Sequence, residues 1–421
     1  MQNVYHQDIF YLIVKLAFLA QIVYLLSIKR FYLQYFSSSR SSGFILSDKY
    51  RWLTCQRVKV IYFVWLTSLV VVFIAPSHAF SKFIGLIPII FSRLFFVTTR
   101  YTSVGRGNGA PGFMSYWVLL YGFFYLLLIN HESWVYSIAL IQAIDFGLIM
   151  LSAGIYKIIA GYLKGEGIEF GLVNPIWSIF NSFWLKFSNN SLVFRILNIA
   201  SVASEIVIAI FFVNIQTWKY SGLLIILMFV FLGLTVRLGF LSITMIVLGV
   251  IFVLLSMAMK EVSVSDLTSI NTLTIFFFCI LFVFTYIWNW SFKLNKKLPS
   301  ILAVVVKFSY KISGGIIWSV FTKQLTEIYI DYDSQINDSK ISNAKKCPLQ
   351  ISSRGVHNGI TVTTLANYSN YFPQNHHENK RRIATYLESA KVFESLSIYR
   401  IAKIELGWEL QKICVWHKEV R

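Results

Sequence analysis

The sequence predicts an all-α polytopic membrane bundle of about eight to ten spans with a small C-terminal α/β module. Three observations carry that prediction. Apolar residues make up 56% of the chain and charged residues 14%, against about 45–50% and roughly 25% in a soluble domain. Several uninterrupted apolar runs approach or exceed the ~20 residues that cross a bilayer. Beyond residue 321 these runs stop and shorter alternating segments replace them.

Taken in order, the spans fall near residues 9–28, 58–79, 83–98, 113–129, 134–160, 193–215, 221–236, 238–256 and 271–290. The first run has no Lys or Arg before it and Lys29-Arg30 after it, with no small-residue cleavage site. It therefore reads as a retained helix with its amino end outside, not as a signal peptide. The stretch 221–256 is too long for one crossing, and Arg237-Leu238-Gly239 supplies the break. A further apolar stretch, Ile301–Phe321, carries Lys307 and Lys311 and is assigned to the interface.

Loop charges orient these spans. Residues 29–59 hold Lys29, Arg30, Arg40, Lys49, Arg51, Arg57 and Lys59 against Asp48 alone, which places that loop in the cytoplasm. Alternation then puts Arg100 and Arg106 inside, Asn130-His131-Glu132 outside, and the strip after Lys157 inside. Nine spans satisfy the charges without conflict, and the multi-pass domain 1–321 is followed by a cytoplasmic tail, 322–421. In the tail "QLTEIYIDYD" alternates as a strand does, and residues 378–397 place Ile383, Tyr386, Leu387, Ala390, Phe393 and Leu396 on one helical face. "YRIAKIEL" and "LQKICVWHKEV" read as strands.

Charge and cysteine content exclude several function classes. The formal net charge is +19, but 24 basic and 9 acidic residues precede Lys323, interleaved with the spans. That is the pattern of positive loops beside anionic lipid, so the partner is the lipid bilayer and not nucleic acid. Cys55, Cys279, Cys347 and Cys414 have neither metal-ligand nor redox spacing. No metal site and no disulfide is expected.

Four residues are candidates for chemistry. Asp145 and Glu205 are membrane-buried polar residues inside spans, where carboxylates are costly and face a bundle interior, a partner or a polar path. Sequence leaves their partners open. His131, in the outer turn "NHESWVY", is either a proton-handling imidazole or part of an ordinary polar hairpin. Lys157 ends an apolar run. Either it snorkels to the surface, or a dry environment makes its amine a base or a nucleophile. Arg100 and Arg106 beside Gly105, Gly107 and Gly109 lack the pattern of a phosphate-binding loop and read as a turn.

"AGIYK" at 153–157, followed by "GYLKGEGIEF", resembles the small-Gly-x-x-Lys and then Trp/Tyr-Gly segment of the HTTM family. That family of polytopic proteins includes the vitamin K-dependent γ-glutamyl carboxylase. "NH" at 130–131, "WSVF" at 318–321 and "NKRRIATYLESAKVF…YRIAKIEL" are similar to further family segments in the same order. The resemblance implies a membrane-embedded enzyme acting on a peptide or lipid-soluble substrate, with Lys157 as the catalytic base and His131 as a second functional residue. It also implies a reduced quinone as cofactor, which the residues alone do not establish. The chain lacks the carboxylase's large lumenal domain, so glutamate carboxylation does not carry over with the fold. The alternatives are a non-catalytic membrane component of peptide export, maturation or immunity, in which Asp145 and Glu205 line a path or pair helices, and a membrane scaffold whose tail recruits a cytoplasmic partner.

Overall fold

A computed structural model describes residues 2–36, 52–98, 109–174, 177–236, 240–259, 269–293, 298–313, 328–333, 395–404 and 407–417. The long helices are α1 (Gln2–Phe36), α2 (Cys55–Ile74), α5 (Gly109–Leu128), α6 (Glu132–Ile159), α9 (Leu192–Phe211), α10 (Trp218–Thr235), α11 (Phe240–Ala258) and α12 (Ser269–Lys293). Shorter helices are α3 (Ala79–Ile84), α4 (Leu86–Ser92), α7 (Ile168–Val173), α8 (Asn181–Trp184) and α13 (Ser300–Ser313). Among the described residues, seven helical segments are long and apolar enough to cross a membrane, and two further apolar helices, Gly112–Leu128 and Asn271–Ile287, are shorter. These fit an integral multi-pass membrane protein.

The span expected over 83–98 is present as Ala79–Phe96, with a local irregularity at Gly85. It runs as α3, α4 and a π-helical stretch, Arg93–Thr98. Gly85 allows close packing there, since a Cβ would lie 3.1 Å from the Phe123 ring, and its N–H still donates to the Ser81 carbonyl at 2.8 Å. Pro88, three residues on, has no N–H to continue the ladder. Elsewhere the start of a helix is locally encoded: Thr54 caps α2, its side chain accepting from the Arg57 amide.

Burial on α9 has the polarity of a membrane helix. Its exposed residues include Leu192, Ile196, Ile199 and Ile210, whereas Asn198 and Glu205 are on the buried side. In water this arrangement would expose apolar surface and desolvate charge, reversing the usual face assignment. In hydrocarbon both faces are satisfied, because lipid solvates the aliphatic side and the bundle pairs the polar one.

Small residues set the helix contacts. α10 and α11 form an antiparallel pair through Gly222 and Gly249. A Cβ on Gly222 would stand 2.5 Å from the Gly249 carbonyl oxygen, and one on Gly249 would stand 2.7 Å from the Gly222 oxygen. Because the obstacle is backbone, Gly249→Leu is expected to separate these helices. The check is a loss of thermal stability and of monodispersity in detergent, with Ile246→Leu on the same helix as a silent control. Gly122 brings α5 against Ala17 of α1 in the same way. Between these contacts, Phe146 of α6, Phe212 after α9 and Phe252 of α11 form an aromatic cluster with centroids 4.4–5.8 Å apart.

The C-terminal strands β1 (Ile328–Asp333), β2 (Ser395–Lys403) and β3 (Trp408–His417) make an antiparallel sheet in the order β1-β2-β3. Ile328 pairs with Arg400, and Lys403 pairs with Trp408 across the β2–β3 turn. The expected helix over 378–397 needs correction at its end. Leu396 lies in β2, opposite Tyr332 and Trp416, because the segment from Ser395 onward completes a ladder on both edges. Residues 378–394 lie outside the described residues, as does the glycine-rich loop 99–108.

Candidate functional site

The site forms where the end of α6 meets α9. Gly147 and Gly154, two turns apart on α6, let α9 approach closely. A Cβ on Gly154 would meet Ile206 at 2.8 Å and Glu205 Cβ at 3.6 Å, and one on Gly147 would meet Phe212 at 3.4 Å. The helices run antiparallel, since the earlier α6 glycine faces the later α9 residue. Ala153-Gly154-x-x-Lys157 therefore has a packing role: the small residues admit the facing helix, and the lysine one turn later meets what that helix presents.

What it presents is Glu205. Lys157 Nζ lies 2.7 Å from Glu205 Oε1 and donates a second bond of 2.7 Å to Ser201 Oγ, one turn earlier on α9. Lys157 is only 4% exposed, which excludes the snorkelling arrangement, whereas Lys164 seven residues on is exposed. The Tyr162 ring covers the ammonium, its centroid 5.4 Å from Nζ. The other carboxylate oxygen of Glu205, Oε2, is buried and has no hydrogen-bond partner among the described residues. An acceptor left in that state inside a bundle is the natural docking point for a donor group of a ligand.

A second ion pair holds the floor of the site. After α6 the chain turns through Gly161 and Gly165, at φ 96° and 76°, conformations that glycine adopts without penalty. This places Glu169 of α7 in full burial against Asn198 of α9. Glu169 Oε2 accepts from Asn198 Nδ2 at 2.8 Å and from the Gly167 amide at 3.1 Å. Oε1 is 3.0 Å from Lys403 Nζ, at the end of β2. The same ammonium donates to the carbonyls of Gly165 and Asn189 and lies 5.4 and 5.6 Å from the Phe170 and Trp408 ring centroids. The tail hairpin is thereby fastened to the turn that carries Tyr162.

The four residues singled out by sequence are distributed unequally. Lys157 and Glu205 come together, across 48 positions of chain. Asp145 does not join them: it lies 12 residues before Lys157 on one helix, about 18 Å away along the axis. It accepts from Trp117 Nε1 at 2.6 Å and from the Tyr121 hydroxyl at 3.1 Å. His131 is at the opposite end of α6, exposed, at the N-cap and without a side-chain capping bond. A straight helix separates it from Lys157 by about 39 Å, so one cavity does not contain both. Sequence reasoning passed over Asn198, Ser201, Glu169, Lys403 and Tyr162. A signal for the first two was present, because 198, 201 and 205 fall on one helical face.

The chain matches no family model, no curated protein and no solved structure. Among the described residues no group of three or more His, Cys, Asp or Glu side chains is placed to hold a metal ion. What remains is the chemistry of the site itself: an ammonium and a carboxylate in contact, sealed by a tyrosine ring, with one carboxylate oxygen open to a donor.

Proposed function

We propose that this multi-pass membrane protein is a membrane-embedded acid–base enzyme of the HTTM type, acting on a lipid-soluble or peptide substrate with Lys157 as base. The observation that supports this reading most is the placement of the Lys157 amine inside the bundle, 2.7 Å from Glu205. In a dry environment such a pair exchanges its proton at little electrostatic cost, because the ammonium–carboxylate and amine–carboxylic acid forms are both neutral overall. Proton transfer from Nζ to Glu205 leaves a free amine on Lys157. That amine then takes a proton from an acidic O–H or N–H of the substrate, giving an ammonium beside a substrate anion, with Glu205 retaining the first proton.

The reduced quinone implied by the family resemblance fits this donor set through one feature, the orphaned Glu205 Oε2, which would accept one of its hydroxyls while Lys157 faces the same group. When bound, such a group supplies an acidic hydroxyl and reducing equivalents. Lys157 and Glu205 would orient it, and Tyr162 would exclude water.

The experiment is infrared difference spectroscopy of the purified full chain in lipid nanodiscs, on addition of a short-chain naphthohydroquinone. A new protonated-carboxyl band that is absent in Glu205→Gln is expected. In parallel, Lys157→Met/Glu205→Met is tested for complementation of a deletion strain and is expected to fail while remaining folded. No band, together with full complementation by the double variant, would refute the enzymatic reading. The ion pair would then be a helix lock in a non-catalytic component, a role the closely packed Gly154 contact would equally serve.

A further inference from the structure

The described inner faces carry three carboxylates, and two of them have a cation: Glu205 has Lys157 and Glu169 has Lys403. Asp145 has none among the described residues. It stands at the middle of α6, about 20 Å from either end, where an uncompensated carboxylate is most costly. Both hydrogen bonds that reach it, from Trp117 and Tyr121, go to Oδ2. Oδ1 takes no hydrogen bond among the described residues, and the residue is only half-buried. Tyr286 lies on α12, which packs against α6, and its buried hydroxyl has no hydrogen-bond partner among the described residues.

We propose that Asp145, Tyr286, Trp117 and Tyr121 form a binding site at the membrane midplane for the ammonium group of a lipophilic primary amine. A primary ammonium supplies both missing functions: a positive charge for Oδ1 and an N–H for the Tyr286 oxygen. Aromatic rings complete the surround. Trp117 and Tyr121 have centroids 4.5 Å apart, and Phe146 is 5.6 Å from Trp117, giving faces that favour an organic cation and accept its alkyl chain. A bare metal ion is a poorer occupant, because no cluster of metal-binding side chains surrounds Asp145 among the described residues. A quaternary ammonium would leave Tyr286 unpaired. The site is distinct from the Lys157–Glu205 pair and does not depend on its function.

The test is calorimetric titration of n-hexylammonium into the full chain in nanodiscs, with n-hexanol and sodium chloride as matched controls. Saturable binding of the amine alone is expected. Asp145→Asn should weaken it at least about tenfold, the loss of a charge partner, and Tyr286→Phe by a smaller but measurable factor. Lys164→Met, at an exposed position, should leave it unchanged. Equal binding of n-hexanol, competition by sodium, or undiminished affinity in Tyr286→Phe would each overturn the proposal, and the last holds even if Asp145→Asn fails to fold.

Discussion

Lys157→Met and Glu205→Met, made singly, are each expected to lower stability by about 3–5 kcal/mol, and the double substitution to restore most of that loss. The asymmetry follows from the geometry. The two side chains are each 5% exposed and touch at 2.7 Å. Deleting one leaves the other charge in a dry bundle, with Ser201 as the neighbour of a bare lysine or Lys157's empty place beside a bare carboxylate. Deleting both replaces the pair with methionines, which pack against the aliphatic surroundings and need no partner. Thermal unfolding of the three variants in one detergent, at matched protein concentration, measures the cycle. Singles as stable as the parent would mean that the pair is hydrated. The double variant also separates fold from chemistry, since it should stand up structurally while losing any activity that needs the amine.

The second large effect concerns the tail. Lys403→Met is expected to destabilise the turn over residues 161–174 by about 3–5 kcal/mol, because Glu169 is fully buried and loses its counter-charge. Hydrogen exchange followed by mass spectrometry should show faster exchange of the Gly167 and Ile168 amides, which now donate to Glu169 and Asn198. It should also show release of the β2–β3 hairpin. Glu169→Gln with Lys403→Met should recover part of the protection, since the amide keeps the Asn198 and Gly167 contacts without a charge. Unchanged exchange in Lys403→Met would mean that the hairpin is held by Trp408 packing against Phe170 and Phe194 alone.

The bundle was legible in the sequence because its signal is local. An apolar run announces a helix wherever it occurs, and the break at Arg237-Leu238-Gly239 separates two helices, α10 and α11, that end and begin on either side of it. The close approach of Phe123 to Gly85 was not legible, because that ring lies on another helix. At the site, sequence supplied Lys157 and Glu205 as separate puzzles. It could not pair them, since contact across 48 residues is set by how α6 and α9 meet. The feature that decides this meeting is Gly154, which was visible but was read as part of a motif, not as a gap for a facing helix. Glu169 stands in a glycine-rich strip, with no local signal of burial. Its burial depends on Lys403, which arrives from a strand 234 residues later. The end of the helix expected over 378–397 is corrected for a related reason: from Ser395 onward, pairing to both neighbouring strands overrides the helical spacing around Leu396.

That long reach from Glu169 to Lys403 also bears on how the protein is made. At about 5–20 residues per second, a ribosome leaves the carboxylate waiting for roughly ten to fifty seconds before its counter-ion is even synthesised. During that interval the carboxylate has only Asn198 and the Gly167 amide as partners, so the turn beneath Tyr162 gains its ionic fastening last, from the tail. A chain interrupted anywhere before Lys403 would present its spans in order and yet carry an unneutralised acid at the membrane face, a mark by which quality control could tell an unfinished molecule from a mature one.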